Sequence, residues 1–459
     1  MRKLFIHPIL KEAAEVFVSR GKQVYLVGGA VRDLLLGKNP HDWDLASDAT
    51  PEEVIAMFRR VIPTGIKHGT VTIRYRGFSI ETTTFRTESV YSDGRRPDSV
   101  HYAATIEEDL SRRDFTMNAV AIRLPDGSIS DPFGGREDIR KKLIRCVGRA
   151  EERFNEDGLR PLRALRFASQ LDFALEETTL AAIPPALPAT AQVAIERVRE
   201  ELDKMLVSAL PSRGLRLMEQ TGLLEIFLPE LQRCRGVEQK GFHCFDVLDH
   251  SFLSCDFAAQ DKSLPETDSR LVLCLAALLH DIGKPDVRGL DRSGVYTFYR
   301  HEEQSAALAL DILRRFKYSN DIIEKTSHLI RQHMFHYEEA WSEAALRRFI
   351  IRTGKEKLPA LYALRRADAY GTTGKAPPPG LLLPLMERVN GVLERKEALS
   401  LKDLALKGDD LMALGLKPGK AMGRILNELL EAVLADPELN TKEKLREIAG
   451  KIIEKTGIR

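Results

Sequence analysis

A short apolar strand, Val24–Val27, runs into Gly28-Gly29 and then a helical pattern over Ala30–Leu36, with Asp42-Trp43-Asp44 close behind. A strand, two glycines and a helix let backbone N–H groups approach a phosphate closely. Alone, the glycine pair suits a tight strand-to-helix turn just as well. If residues 42–44 are extended, Asp42 and Asp44 share one face, because strand side chains alternate with period two. Two converging carboxylates are hard oxygen ligands suited to Mg²⁺ carried with a nucleoside triphosphate. Two such ions can activate a hydroxyl and stabilise a pyrophosphate leaving group. An isolated Asp-x-Asp is ordinarily solvated surface; the glycine turn ahead of it weights the chemical reading.

The surrounding pattern predicts a mixed α/β head. Runs at Thr70–Arg74, Ser79–Phe85 and Asn118–Leu124 are rich in β-formers and punctuated by Gly and Asp. Thr50 followed by Pro51 and two acids predicts a helix over 51–60. Beyond about residue 135, Leu, Ala, Arg and Glu recur at helical spacing, as in Gly158–Leu171, Ala191–Leu210 and Ser212–Leu224. Breaks are expected near Ile183–Pro188, Pro265–Asp268 and Gly371–Pro379. With 459 residues, 43% of them hydrophobic, the chain can fill two to four cores. No long uncharged apolar run and no secretory leader is recognisable, and five cysteines without a CxxC pair suit reduced thiols. A cytoplasmic location is therefore expected. The net charge of +2 predicts nucleic-acid binding only if the basic residues cluster locally.

Glu81, in strand-like surroundings, is a candidate third acid beside the metals, and equally an exposed strand residue. Farther on, Arg112-Arg113-Asp114-Phe115-Thr116-Met117-Asn118-Ala119 sets two cations, an acid and an amide among apolar residues. Arg113 suits a triphosphate oxygen, while Asp114 and Asn118 suit a ribose hydroxyl; a surface salt-bridge patch is the plainer reading. Taken in order, Gly28-Gly29, Arg32-Asp33, Asp42-x-Asp44, Arg112-Arg113-Asp114-x-x-x-Asn118-Ala119 and Asp131-Pro132-Phe133-Gly134-Gly135 resemble the class II CCA-adding enzymes and bacterial poly(A) polymerases. These belong to the polymerase-β-like nucleotidyltransferase superfamily. The resemblance implies an α+β chain: a nucleotidyltransferase head with a mixed sheet over 1–135, an all-α neck and RNA-binding region over 136–235, an HD domain over 236–375 and a helical tail over 376–459. It implies Asp42 and Asp44 as catalytic Mg²⁺ ligands, and Gly28, Gly29, Arg32 and Arg113 among the nucleotide-binding residues.

Glu156-Asp157-x-x-Arg160 lies in a predicted helix, where its spacing makes an ordinary salt bridge. The bases offer another use. C and A both present an exocyclic amine beside an acceptor ring nitrogen, which a carboxylate and an arginine can pair. U and G would leave the same pair mismatched, at about 1–3 kcal/mol per unpaired buried group. By resemblance, Asp157 and Arg160 read the base and Glu156 holds Arg160. The neighbouring arginines and Ile195–Leu202 resemble the family's neck helices. The stretch from Phe85 to Asp98, with Arg86, Glu88 and Arg95, has the composition of a mobile loop. By resemblance it accompanies addition of the final A, so deleting Thr87–Arg95 is expected to stop addition after two Cs.

A second constellation follows. His250, His280-Asp281 at the end of an apolar helical run, and Asp368 resemble the HD-domain metal pattern, with His301 and His333 as possible extra ligands. Imidazole and carboxylate together bind a divalent metal and activate water for phosphoester hydrolysis. Such a fold can equally serve as a scaffold for tRNA. The tail, Gly408–Met412 and Lys417–Gly423, resembles bacterial enzymes carrying this region and offers phosphate contacts or a plain interhelical turn. The expected activity is template-independent addition of CMP and AMP to the 3′ end of tRNA from CTP and ATP, with the tRNA acceptor arm as partner. Its rivals are an A-adding enzyme, a poly(A) polymerase and, in a different class, an HD-type phosphohydrolase.

Overall fold

The computed structural model describes residues 5–40, 42–88, 100–239, 243–264, 268–395 and 399–456. The chain forms two compact units: Met1–Arg233 with Arg314–Lys317, and Cys234–Leu313 with Tyr318–Arg459. In the first unit the strands are β1 (Val24–Val27), β2 (Asp44–Ser47), β3 (Val61–Gly65), β4 (Thr70–Tyr75), β5 (Phe78–Thr84), β6 (Arg86–Glu88), β7 (Val100–Tyr102), β8 (Ala121–Arg123) and β9 (Ile129–Ser130). Seven of them make one sheet in the order β3-β4-β5-β2-β1-β8-β9. It is mixed: β2 runs parallel to β5 and antiparallel to β1. β6 and β7 pair with each other in a separate two-stranded sheet.

Period-two burial explains why this sheet is covered on both faces. Leu26 and Leu45 point into a core shared with Leu10, Phe17 and Val31 from the helices Pro8–Ser19 (α1) and Gly29–Leu35 (α2). Their neighbours Tyr25, Val27 and Ala46 point the other way, against Phe85, Ile106 and Leu110. The expected helix after Thr50 runs over Pro51–Met57 (α3), and Thr50 and Glu53 close a capping box. Arg160–Leu171 and Ile195–Leu206 are amphipathic helices, as the spacing predicts.

The second unit is helical apart from a short antiparallel pair, Gly289–Leu290 with Tyr296–Thr297. Val247–Gln260, Asp268–Leu279, His301–Arg315, Asn320–Gln332 and Leu358–Thr373 form its centre. A separate apolar cluster around Leu411, Leu429 and Leu445 gathers the C-terminal helices. The five cysteines are all free. Among the described residues no helix is long and apolar enough to cross a membrane.

Candidate functional site

The sheet register assembles the first site. Antiparallel pairing sets Val27 opposite Asp44, so the chain leaving β1 turns beside that carboxylate. Gly28 makes the turn at φ 70° and ψ −139°, a conformation open essentially to glycine alone. A Cβ there would stand 3.1 Å from Arg113 Nη1 and 3.6 Å from Asp44 Oδ2, so guanidinium and carboxylate flank the turn. Parallel pairing sets Glu81 opposite Asp44 on β5. Asp42 does not share the strand. β2 begins at Asp44 and Asp42 lies, exposed, in the bend before it. The period-two placement of the pair is therefore replaced by a bend that still brings the two charges close enough to interact. Burial, and next Glu81, push the Asp44 carboxyl up to about 6; Arg113 pulls against them and Asp42 adds to the rise.

Arg113 is held from behind by a residue that motif reading passed over. Asp109, buried on the helix Ile106–Ser111 (α4), accepts from Arg113 Nη2 at 3.2 Å and from Arg112 Nη2 at 2.8 Å. Burial works against its charge, yet the two guanidinium groups hold its carboxyl below the usual range. The signal was present, since Asp109 stands three and four residues before the two arginines at the end of a helix.

Arg32, Asn118 and Asp114 form a connected chain. Arg32 donates to Asp33 Oδ1 at 2.8 Å and to Asn118 Oδ1 at 3.1 Å, and Asn118 Nδ2 donates to Asp114 Oδ1 at 3.1 Å. Asp114 Oδ2 takes both Arg163 Nε and Nη2, at 2.9 and 2.7 Å. Burial opposes the Asp114 charge, but Arg163 and Asn118 bring its carboxyl down to about 2. Arg163, placed in the neck by resemblance, is thus a direct partner of the head motif.

The predicted single helix through Glu156, Asp157 and Arg160 is corrected. The helix Ala150–Glu156 (α5) ends at Glu156, Asp157 is extended, and a new helix (α6) starts at Arg160. Pro161 is the reason: it has no N–H to donate and is accommodated only in a first helical turn. Arg160 Nη1 still reaches Glu156 Oε2 at 2.7 Å, while Arg160 Nη2 donates to the Arg112 carbonyl at 3.2 Å. Asp157 meets Arg197 instead, at 3.1 Å, a partner no local spacing could suggest. Of the loop residues, Arg86 donates to the His68 carbonyl. The side chain of Glu88 and the whole of Arg95 lie outside the described residues.

The histidine cluster comes together in the second unit. His250, His280, Asp281, His301, His333 and Asp368 are all buried. His250 Nε2 lies 3.0 Å from His280 Nε2, 3.4 Å from Asp281 Oδ2 and 3.3 Å from Asp368 Oδ1. Gly371 permits this: a Cβ there would come within 2.7 Å of the His250 carbonyl, so the helix bearing Asp368 packs directly on the helix bearing His250. His280 and Asp281 with His250, and Asp281 with His301 and His333, each form a triad of ligand atoms within 4.8 Å of one another. Lys284 Nζ also binds Asp281 Oδ2, at 2.5 Å. Burial would raise the Asp281 carboxyl, but His280 and Lys284 hold it well below the usual range. Burial pushes the His333 imidazole down to about 3.

Comparison with known proteins follows the same outline. The Poly A polymerase head domain family matches residues 24–145, the RNA and SrmB-binding site of polymerase A matches 172–234, and tRNA nucleotidyltransferase domain 2 matches 297–449. A curated CCA-adding enzyme of Limosilactobacillus reuteri is 34% identical over 448 residues, 96% of each chain. The crystal structure of the Bacillus stearothermophilus CCA-adding enzyme in complex with CTP superposes with a TM-score of 0.73 at 30% identity, covering 99% of this chain and 100% of that one. The Thermotoga maritima CCA-adding enzyme complexed with tRNA shares the fold, with a TM-score of 0.59 at 22% identity over 98% and 97% of the two chains.

Proposed function

The chain belongs to the CCA-adding enzyme family, and on that premise we propose that it adds C, C and A to the 3′ end of tRNA without a nucleic-acid template. The observation that carries this reading is the approach of Asp44 and Arg113 to the turn at Gly28, with Glu81 set opposite Asp44 on the neighbouring strand. Each cycle joins the RNA 3′-oxygen to the α-phosphorus of CTP or ATP and breaks the α–β bridge. Pyrophosphate and the hydroxyl proton are released.

Enzymes of this family use divalent metal, and the carboxylates fit one. Asp44, raised to about 6 by burial and by Glu81, marks a crowding of negative charge that a cation relieves. We read the ion as Mg²⁺, held by Asp42 and Asp44 with Glu81 adjacent. When bound, it would neutralise triphosphate charge and stabilise the leaving pyrophosphate. Arg113, braced by Asp109, supplies a fixed positive charge for a triphosphate oxygen, and the Gly28-Gly29 turn keeps bulk away from it. The Arg32–Asn118–Asp114 chain frames the sugar. Asp157 and Arg160 select the base, with Glu156 orienting Arg160 and Arg197 orienting Asp157. The helices following the head grip the acceptor arm by shape and phosphate, as the neck of a four-part chain divided near 135, 235 and 375. We place the protein in the cytoplasm, where tRNA and the two nucleotides meet.

Competition among four labelled nucleotides on a tRNA lacking its terminus tests this directly. CTP and then ATP are incorporated and UTP and GTP are rejected; equal use of all four would overturn the base-reading assignment.

A second reading concerns the histidine cluster, and its support is the convergence of His250, His280, Asp281 and Asp368 in a buried set. We propose that this is an HD-type centre binding one divalent metal and hydrolysing phosphoesters. Chelation followed by metal analysis tests it, and a chain that takes up no metal at the cluster would contradict it.

A further inference from the structure

We propose that Arg112 is a positioning residue for nucleotide selection: it ties the base-reading Arg160 to the phosphate-facing Arg113, so that a correctly paired base improves the alignment of the triphosphate. Resting on the reading of Arg160 as a base reader, this role adds a residue and a coupling to it.

Three sets of contacts build the tie. First, the Arg112 carbonyl is turned out of the helix ladder. Arg112 closes α4 at φ −82° and ψ −9°. The Thr116 N–H that would meet its carbonyl in a longer helix bonds the Arg145 carbonyl instead, at 2.9 Å. Arg160 Nη2 takes that place, at 3.2 Å. Arg160 is 6% exposed, and a buried, planar guanidinium is aimed by its acceptors. The Arg112 carbonyl is one of these, beside the Arg153 carbonyl at 3.1 Å and Glu156 Oε2 at 2.7 Å.

Second, the Arg112 side chain governs the brace of its neighbour. Arg112 Nε and Nη2 both donate to Asp109 Oδ1, at 3.0 and 2.8 Å. Arg113 holds the same carboxylate by one bond, from Nη2 to Oδ2 at 3.2 Å. Two shorter charge-assisted bonds outweigh one longer one, so Asp109 follows Arg112 and Arg113 follows Asp109. Arg113 Nε is buried and has no acceptor, so that nitrogen does not anchor the guanidinium elsewhere.

Third, the contacts close into a ring. The Asp114 carbonyl accepts from Val147 N–H at 3.1 Å, and the Val147 carbonyl accepts from Arg153 Nε at 3.0 Å. Arg153 in turn presents its carbonyl to Arg160. The strip Arg112–Asp114 and the base-reading corner are therefore hydrogen-bonded at both ends, and a displacement at one is felt at the other.

A base that pairs with Asp157 and Arg160 thus fixes the corner from which Arg113 is held. Misplacement by about 1 Å at a reacting centre costs on the order of 10²-fold in rate, so the tie converts base pairing into phosphate alignment. U and G forgo it, and selection appears in kcat as well as in KM. A strut that merely closed α4 would keep the same contacts but serve all four nucleotides alike.

The test measures single-nucleotide addition by the full chain, with Mg²⁺ and a tRNA lacking its terminus, comparing CTP with UTP. Arg112→Ala should lower kcat for CTP about tenfold more than kcat for UTP, while the ratio of their KM values holds. Arg112→Lys, which keeps a cationic donor for Asp109, should recover most of the kcat ratio. Adding Arg112→Ala to Arg160→Ala should cost nothing further in that ratio, because the tie has already lost one end. Arg112→Gln stands in should circular dichroism show Arg112→Ala unfolded. Equal slowing of CTP and UTP by Arg112→Ala, or additive losses in the double variant, would overturn the tie and leave Arg160 as the base reader. Undiminished discrimination in Arg160→Ala would overturn the base reader, and the tie with it.

Discussion

The two candidate sites use opposite chemistry for neighbouring tasks. In the head, the oxygen donors stand on the interior strands β2 and β5 and in the bend before β2: Asp42 and Glu81 are exposed, and Asp44 is half-buried. In the second unit, imidazole predominates and every donor is buried. An open set of hard donors suits an ion that arrives and leaves with a triphosphate, whereas a closed, mixed set suits a resident ion. The contrast also appears in charge. The head carboxylate is pushed up by its acidic neighbours, while Asp281 and Asp368 are held down by surrounding histidines. One site is short of cations; the other brings part of its compensation with it.

That contrast breaks most visibly under Asp42→Ala combined with Asp44→Ala. Nucleotide incorporation into tRNA should fall on the order of 10³-fold or more, while metal uptake at the histidine cluster stays unchanged. A parallel loss of metal there would mean that the two sites are not independent. Next in size is Arg160→Ala, which should lower discrimination of C and A against U and G by roughly 10- to 100-fold, corresponding to about 1–3 kcal/mol. Misincorporation assays with each single nucleotide measure it.

The acidity of the head gives a smaller effect with a defined sign. Asp44 takes up a proton as pH falls through about 6, and the protonated form competes with the cation. Incorporation at pH 5 should be about tenfold below that at pH 7, with the loss offset by added Mg²⁺. A flat profile between these values would remove Asp44 from the metal site. Because the raised value means that the folded chain holds this proton longer than the unfolded one, Asp44 contributes less to stability as pH rises from the ordinary carboxylate range through about 6. Asp109→Asn should have the smallest effect, about fivefold and mainly on KM for the nucleotide, because Arg113 loses its brace but remains present. A purely structural role would instead lower the melting temperature and leave KM alone.

How far the molecule could be read in advance follows the range of each interaction. The strand at Val24–Val27, the turn at Gly28 and the capped helix after Thr50 declare themselves within a few residues. The Glu156–Arg160 contact, four residues apart, survives even though the helix through it is broken. Pro161 signalled that break, and the amphipathic spacing around it masked the signal. The Asp157–Arg197 pair spans forty residues, and Asp114–Arg163 spans forty-nine; both depend on helix packing that no periodicity specifies. The histidines were visible by type. Their sorting into two sets around one carboxylate depends on the packing of separate helices and emerges only in three dimensions.

The central claim is stepwise, untemplated completion of tRNA by the head. Its most direct measurement offers the purified protein, with Mg²⁺, labelled CTP or ATP and three tRNAs: one lacking the terminus, one ending after the first C and one after the second. C is expected on the first two and A on the third, with a single nucleotide added at the last step. Addition of A alone to the CC-ended tRNA, with CTP unused throughout, would contradict it.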